Sequence, residues 1–120
     1  MSPAPDAATG RRLKLSLLSH SAPIFAALGD ETRLRLIAVL CAGGAMSITQ
    51  LTAGTEITRQ GVTKHLHVLA EAGLVQDVKV GRERRWEFKP ARLDDVRRSL
   101  DLIAQQWDQA LNRLKSRLEA

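Results

Sequence analysis

Apolar positions along the chain recur first at helical spacing, then briefly at extended spacing, then at helical spacing again. Pro23 and Gly29 frame a short helix from Ala22 to Leu28, which can continue a helix from Arg11 to Ser19. Asp30 stands where a carboxylate accepts the free N–H groups of a new helix. In that helix Leu34, Ile37, Ala38 and Cys41 share one face, with Leu36 and Leu40 beside them, which predicts a central helix with Cys41 on its buried side. Gly43 and Gly44 end it. Ser47 then caps a short helix over Ile48–Ala53, Gly54 and Thr55 turn the chain, Thr58 caps the next helix, and Gly73 closes it near Ala72.

That helix divides into two faces. Val62, Leu66, Leu69 and Ala70 fall at i, i+4, i+7 and i+8, the spacing of a face held against a core. Gln60, Thr63, Lys64, His67 and Glu71 gather on the other side, with Arg59 flanking them in the first turn. After Gly73 the period changes: Leu74, Val75, Val78, Val80, Trp86 and Phe88 sit in short β-prone runs around Gly81 and Arg82, which predicts a hairpin ended by Pro90. From Leu93 to Ala120 there is neither Gly nor Pro. Leu93, Val96, Leu100, Ile103, Trp107, Ala110 and Leu114 recur there at alternating spacings of 3 and 4, a narrow apolar stripe close to a heptad. The helix it describes is roughly 40 Å long, more than a small domain needs for its own core. Its predicted use is a partner chain, with Leu100, Ile103, Trp107, Ala110 and Leu114 in the interface and Trp107 as anchor. Packing on the chain's own core is the alternative.

The expected fold is therefore mostly α with a small β-hairpin: a winged helix-turn-helix of about five helices and a two-stranded wing. It occupies residues 11–120 behind a flexible tail of residues 1–10, with the first and last helices available for dimerisation.

Charge sharpens this picture. The 120 residues carry a net charge of +5, and the sequence pI near 10.1 makes a polyanion the first partner to consider. Eight basic and four acidic residues lie between Ile57 and Arg92, whereas Leu93 to Ala120 holds five of each. The excess thus falls on the two-faced helix and the hairpin after it. Lone Cys41 forms no intrachain disulfide, and Lys14, Ser16, Ser19 and His20 break up any secretory apolar region. The longest apolar run, Leu36 to Met46, contains two glycines and is well short of the ~20 residues a membrane span needs. We therefore expect a cytoplasmic protein without membrane contact.

Gln60, Thr63 and His67 can hydrogen-bond base edges, Arg59 can grip guanine or a phosphate, Lys64 lies on the same side, and the helix start at Thr58 favours a phosphate. A solvated face on any surface helix would look similar, so context decides. A short helix, a turn and this helix form the unit that places its second helix in the major groove of double-stranded DNA. The hairpin brings Lys79, Arg82, Arg84 and Arg85 beside it, a wing suited to phosphates or the adjacent minor groove.

The runs FAALGDETRLRLIAVL, ITRQGVTKHLHVLAEAGLV and GRERRWEFKP resemble the ArsR/SmtB-type family of winged-helix regulators, and the resemblance extends from about Ala22 to the C-terminus. It implies a homodimer that represses transcription at a palindromic operator and leaves DNA when an inducer binds. By position, Arg59, Gln60, Thr63, Lys64 and His67 correspond to the family's DNA-facing residues, and Arg82 and Arg84 to its wing. Gly61 departs from the Ala more usual there, at a cost of about 1 kcal/mol in a helix interior. Close helix packing would account for it.

Many relatives sense metals through a Cys-x-Cys pair before the reading helix, or through Asp and His on the last helix. Here SITQLTA has no cysteine, and the last helix has Asp101 and Asp108 but no histidine. One Cys and three His do not supply a closed soft-metal site. We expect no metal and no cofactor, and no motif specifies the inducer. His65, two positions from His67, flanks the core face and is expected to make a structural hydrogen bond; His20 has no assigned role. A winged helix acting as a protein-interaction module would have a neutral or apolar reading face, and an enzyme would need a nucleophile, base and orienting acid that cannot be assembled from this sequence.

Overall fold

The computed structural model describes residues 7–119, with side chains from residue 14 onward. In chain order it comprises α1 (Ala7–Leu28), α2 (Glu31–Gly43), α3 (Ile48–Ala53), α4 (Arg59–Glu71), β1 (Val75–Val80), β2 (Glu83–Phe88) and α5 (Ala91–Glu119). Five helices and a two-stranded antiparallel hairpin are thus the elements expected of a winged helix-turn-helix.

Local chemistry sets most boundaries. Asp30 accepts the N–H of Arg33 at 3.0 Å and starts α2. That bond to a backbone N–H, aided by the charges of Arg33 and His65, holds the half-buried Asp30 carboxyl below its ordinary pKa. Ser47 and Gln50 close a reciprocal capping box on α3. Thr58 takes the N–H of Gly61 at 3.1 Å and starts α4. Gly81, at φ +65°, is the first central residue of the two-residue loop between Val80 and Glu83, the place a tight hairpin of this kind reserves for glycine.

The core lies where α1, α2, α4 and the hairpin meet: Ile24, Leu36, Leu40, Val62, Leu66, Leu69, Leu74 and Trp86 are all buried. Trp86 also exchanges backbone hydrogen bonds with Met46 at 2.9 and 2.7 Å, so the residue before the N-cap of α3 is fastened to the wing.

Two local expectations need correction. Pro23 does not begin a helix but lies inside α1, so the segment Ala22–Leu28 continues the preceding helix, the other arrangement its framing allowed. α1 starts at Ala7, and residues 1–6 lie outside the described residues. In α2 the buried residues are Leu36, Ile37 and Leu40, while Leu34 and Cys41 are exposed. The inward row begins at Arg33, which the apolar pattern passes over because it is charged. Arg33 donates to the carbonyls of Ala27 and Ala26 and lies 3.3 Å from Nδ1 of His65, tying α1, α2 and α4 together. His65 thus has the structural hydrogen bond expected of it.

A buried pair of serines joins α1 to α5. Ser99 and Ser21 are fully buried; Ser99 Oγ donates to Ser21 Oγ at 2.7 Å, and Ser21 Oγ donates to the Asp95 carbonyl at 3.1 Å. Among the described residues no helix is long and apolar enough to cross a membrane.

Candidate nucleic-acid interface

Val62, Leu66 and Leu69 are completely buried and hold α4 by one side. The opposite side is open, as the two-faced pattern requires. Arg59, Gln60 and Lys64 are exposed and, among the described residues, their side chains have no ion-pair or hydrogen-bond partner, so their polar groups are available to an incoming ligand. Thr63 is half-buried, and its hydroxyl donates to the Arg59 carbonyl at 2.9 Å. Its proton is therefore committed, and the hydroxyl can act further only as an acceptor. Gly61 packs under this turn: a Cβ there would stand 2.7 Å from Cγ2 of Ile57. The close packing expected at this glycine is the contact between the turn and the first turn of α4.

His67 is exposed towards the C-terminal end of this open face. Its ring lies 6.1 Å from that of Trp86, at the mouth of a cleft of about 480 Å³ between α4 and the wing that Glu71, Arg84 and Lys89 also line. The indole Nε1 of Trp86 is buried without a hydrogen-bond partner.

The hairpin register separates the wing cations. Val75 pairs with Phe88, Asp77 with Trp86, and Lys79 with Arg84, so these share the face that carries Trp86 into the core. Val78 pairs with Arg85 and Val80 with Glu83, which puts Arg85 on the other face. There Glu83 holds it at 3.0 Å. Arg82 lies in the exposed loop, and neither it nor Lys79 has an ion-pair partner among the described residues. Arg84 contacts Asp77 at 3.2 Å. Sequence reasoning grouped the four cations; the alternation of the strands divides them.

On α5, Val96 and Ser99 face the core. Leu100, Ile103, Trp107 and Leu114 are exposed, Trp107 at 64%, and Ala110 is half-buried. The stripe read from the sequence is thus not used by the chain's own core beyond Val96. Among the described residues no three His, Cys, Asp or Glu side chains converge as metal ligands.

Comparison with known proteins gives this geometry a family. A family described as a helix-turn-helix domain matches residues 28–78. An HTH-type transcriptional regulator of Mycobacterium tuberculosis is 35% identical over 85 residues, 71% of this chain and 76% of the relative. An ArsR-like transcriptional regulator from Rhodococcus sp. RHA1 is 38% identical and superposes with a TM-score of 0.72 over 82% of this chain and 92% of its own. The chain belongs to the ArsR family of transcriptional regulators. As an ArsR-family protein it is a DNA-binding regulator of transcription and not an enzyme. The fold is shared more widely: the homodimeric winged helix-turn-helix DNA-binding domain of a possible ArsR-family regulator from Mycobacterium bovis superposes with a TM-score of 0.57 at 24% identity, over 83% of this chain and 89% of that one.

Proposed function

We propose that this ArsR-family chain is a cytoplasmic, homodimeric repressor that reads a palindromic operator through α4 and grips its backbone with the wing. The observation that carries this reading is the open face of α4, with Arg59, Gln60 and Lys64 unpartnered, beside the basic hairpin. Gln60, Thr63, Lys64 and His67 meet base edges, Thr58 and Arg59 hold a phosphate at the helix start, and Lys79, Arg82 and Arg84 hold the flanking backbone. Arg85, on the far face of the ribbon and tied to Glu83, contributes general positive charge only.

Residues 11–120 act as one winged-helix domain. Its α5 stripe of Leu100, Ile103, Trp107, Ala110 and Leu114, joined by α1, meets a second copy, and the two α4 helices enter major grooves about 34 Å apart. An inducer releases the dimer. Footprinting across the gene's own upstream region at low salt tests the reading: protection of two half-sites one helical turn apart is expected. Uniform, sequence-independent protection, or none, would overturn it.

A further inference from the structure

Asp77 is an acid in the middle of a surface built to meet a polyanion, and simple electrostatics makes it a liability there. Its position suggests a use. Asp77 sits opposite Trp86 in the register and diagonally beside Arg84, on the wing face that turns toward α4. The contact reaches Arg84 through Nε, the nitrogen on the stem side of the guanidinium, at 3.2 Å. The two terminal Nη groups are left for another acceptor, and a guanidinium offers them as a planar fork. Both residues line the cleft between α4 and the wing that also holds His67.

Arg85 shows what the alternative looks like. Glu83 engages it through both Nε and Nη2, at 3.0 Å each, on the opposite face of the ribbon, which occupies one of the two terminal nitrogens. Arg82, in the loop, is not held by any acid among the described residues. Of the three wing arginines only Arg84 is both aimed at the α4 side and held in a way that spares its outer donors. We infer that Asp77 is a positioning residue for DNA binding: it fixes the Arg84 guanidinium toward the DNA strand that passes between α4 and the wing. This rests on the assignment of Arg84 to phosphate binding.

The sign of one substitution tests it. Asp77→Asn removes a negative charge from the interface, so charge alone makes operator binding tighter. If Asp77 positions Arg84, the same change weakens binding by about two- to five-fold, the range of a single well-formed surface ion pair. It also makes the dependence of affinity on salt shallower, because Arg84 then displaces fewer counterions. Operator affinity is measured across a salt series for wild type, D77N, R84A and the double variant, with circular dichroism confirming the fold. We expect D77N to lose affinity in the wild-type background and to leave it unchanged or slightly raise it when Arg84 is already Ala. Binding by D77N that matches or exceeds wild type, or a loss that persists in the R84A background, overturns the inference. If R84A alone binds as wild type, it is the assignment of Arg84 to phosphate that fails.

Discussion

In the proposed function, single residues decide how α4 reads DNA. Lys64 is exposed on the open face of α4, and its side chain has no partner among the described residues. Lys64→Ala is therefore expected to narrow the gap between operator and scrambled DNA by about 1–3 kcal/mol, seen as a smaller ratio of the two dissociation constants. Gly61 is decided by packing. In an open helix Gly→Ala gains about 1 kcal/mol. Here the new Cβ meets Cγ2 of Ile57, which is fixed to a branched carbon and cannot swing aside. Gly61→Ala should thus give no gain in urea denaturation and is expected to lose stability. The sequence marked Gly61 as unusual, but its reason lay in a neighbour four residues back whose direction only the folded turn defines.

At the scale of elements, capping chemistry was the most legible part of the sequence. Asp30, Ser47 and Thr58 each cap the helix assigned to them, because an N-cap depends on residues within three positions. Asp30 also confers a pH dependence. Its carboxyl is more acidic in the folded chain than its ordinary value of 3.8. The stabilisation is therefore fully present above that value and is lost as pH falls through the lower folded pKa. Asn caps equally well but does not titrate, so Asp30→Asn should flatten the acid limb of a stability-versus-pH curve while leaving the neutral region nearly unchanged. The face of α2 was less legible. Arg33 opens its inward row, and its clasp on Ala26, Ala27 and His65 depends on residues as far as 32 positions away. The buried Ser21–Ser99 pair was missed for the same reason: two serines 78 residues apart carry no periodic signal.

The whole molecule is long for its size. Its radius of gyration is 19.9 Å, against roughly 14 Å for a compact chain of this length. The long helix α5 contributes to this, and it carries exposed Leu100, Ile103, Trp107, Leu111, Leu114 and Leu118. A heptad-like stripe was visible in the sequence, and the structure leaves it uncovered. Trp107→Asp should shift the chain from dimer to monomer in sedimentation velocity and weaken operator binding far more than nonspecific binding, since only the paired half-sites need both copies. An unchanged dimer would place the interface elsewhere.

The two tryptophans occupy opposite extremes of solvation. Trp86 is 5% exposed beside His67 at the junction of α4 and wing, and Trp107 is 64% exposed on the free stripe. Unlabelled protein thus carries two separate optical reporters: the red-shifted emission of Trp107 should move to the blue when a second copy covers it, while quenching of Trp86 follows events at the wing. With each indole replaced by Phe in turn, self-association and operator engagement can be timed in the same solution, and the order of assembly on DNA becomes directly observable.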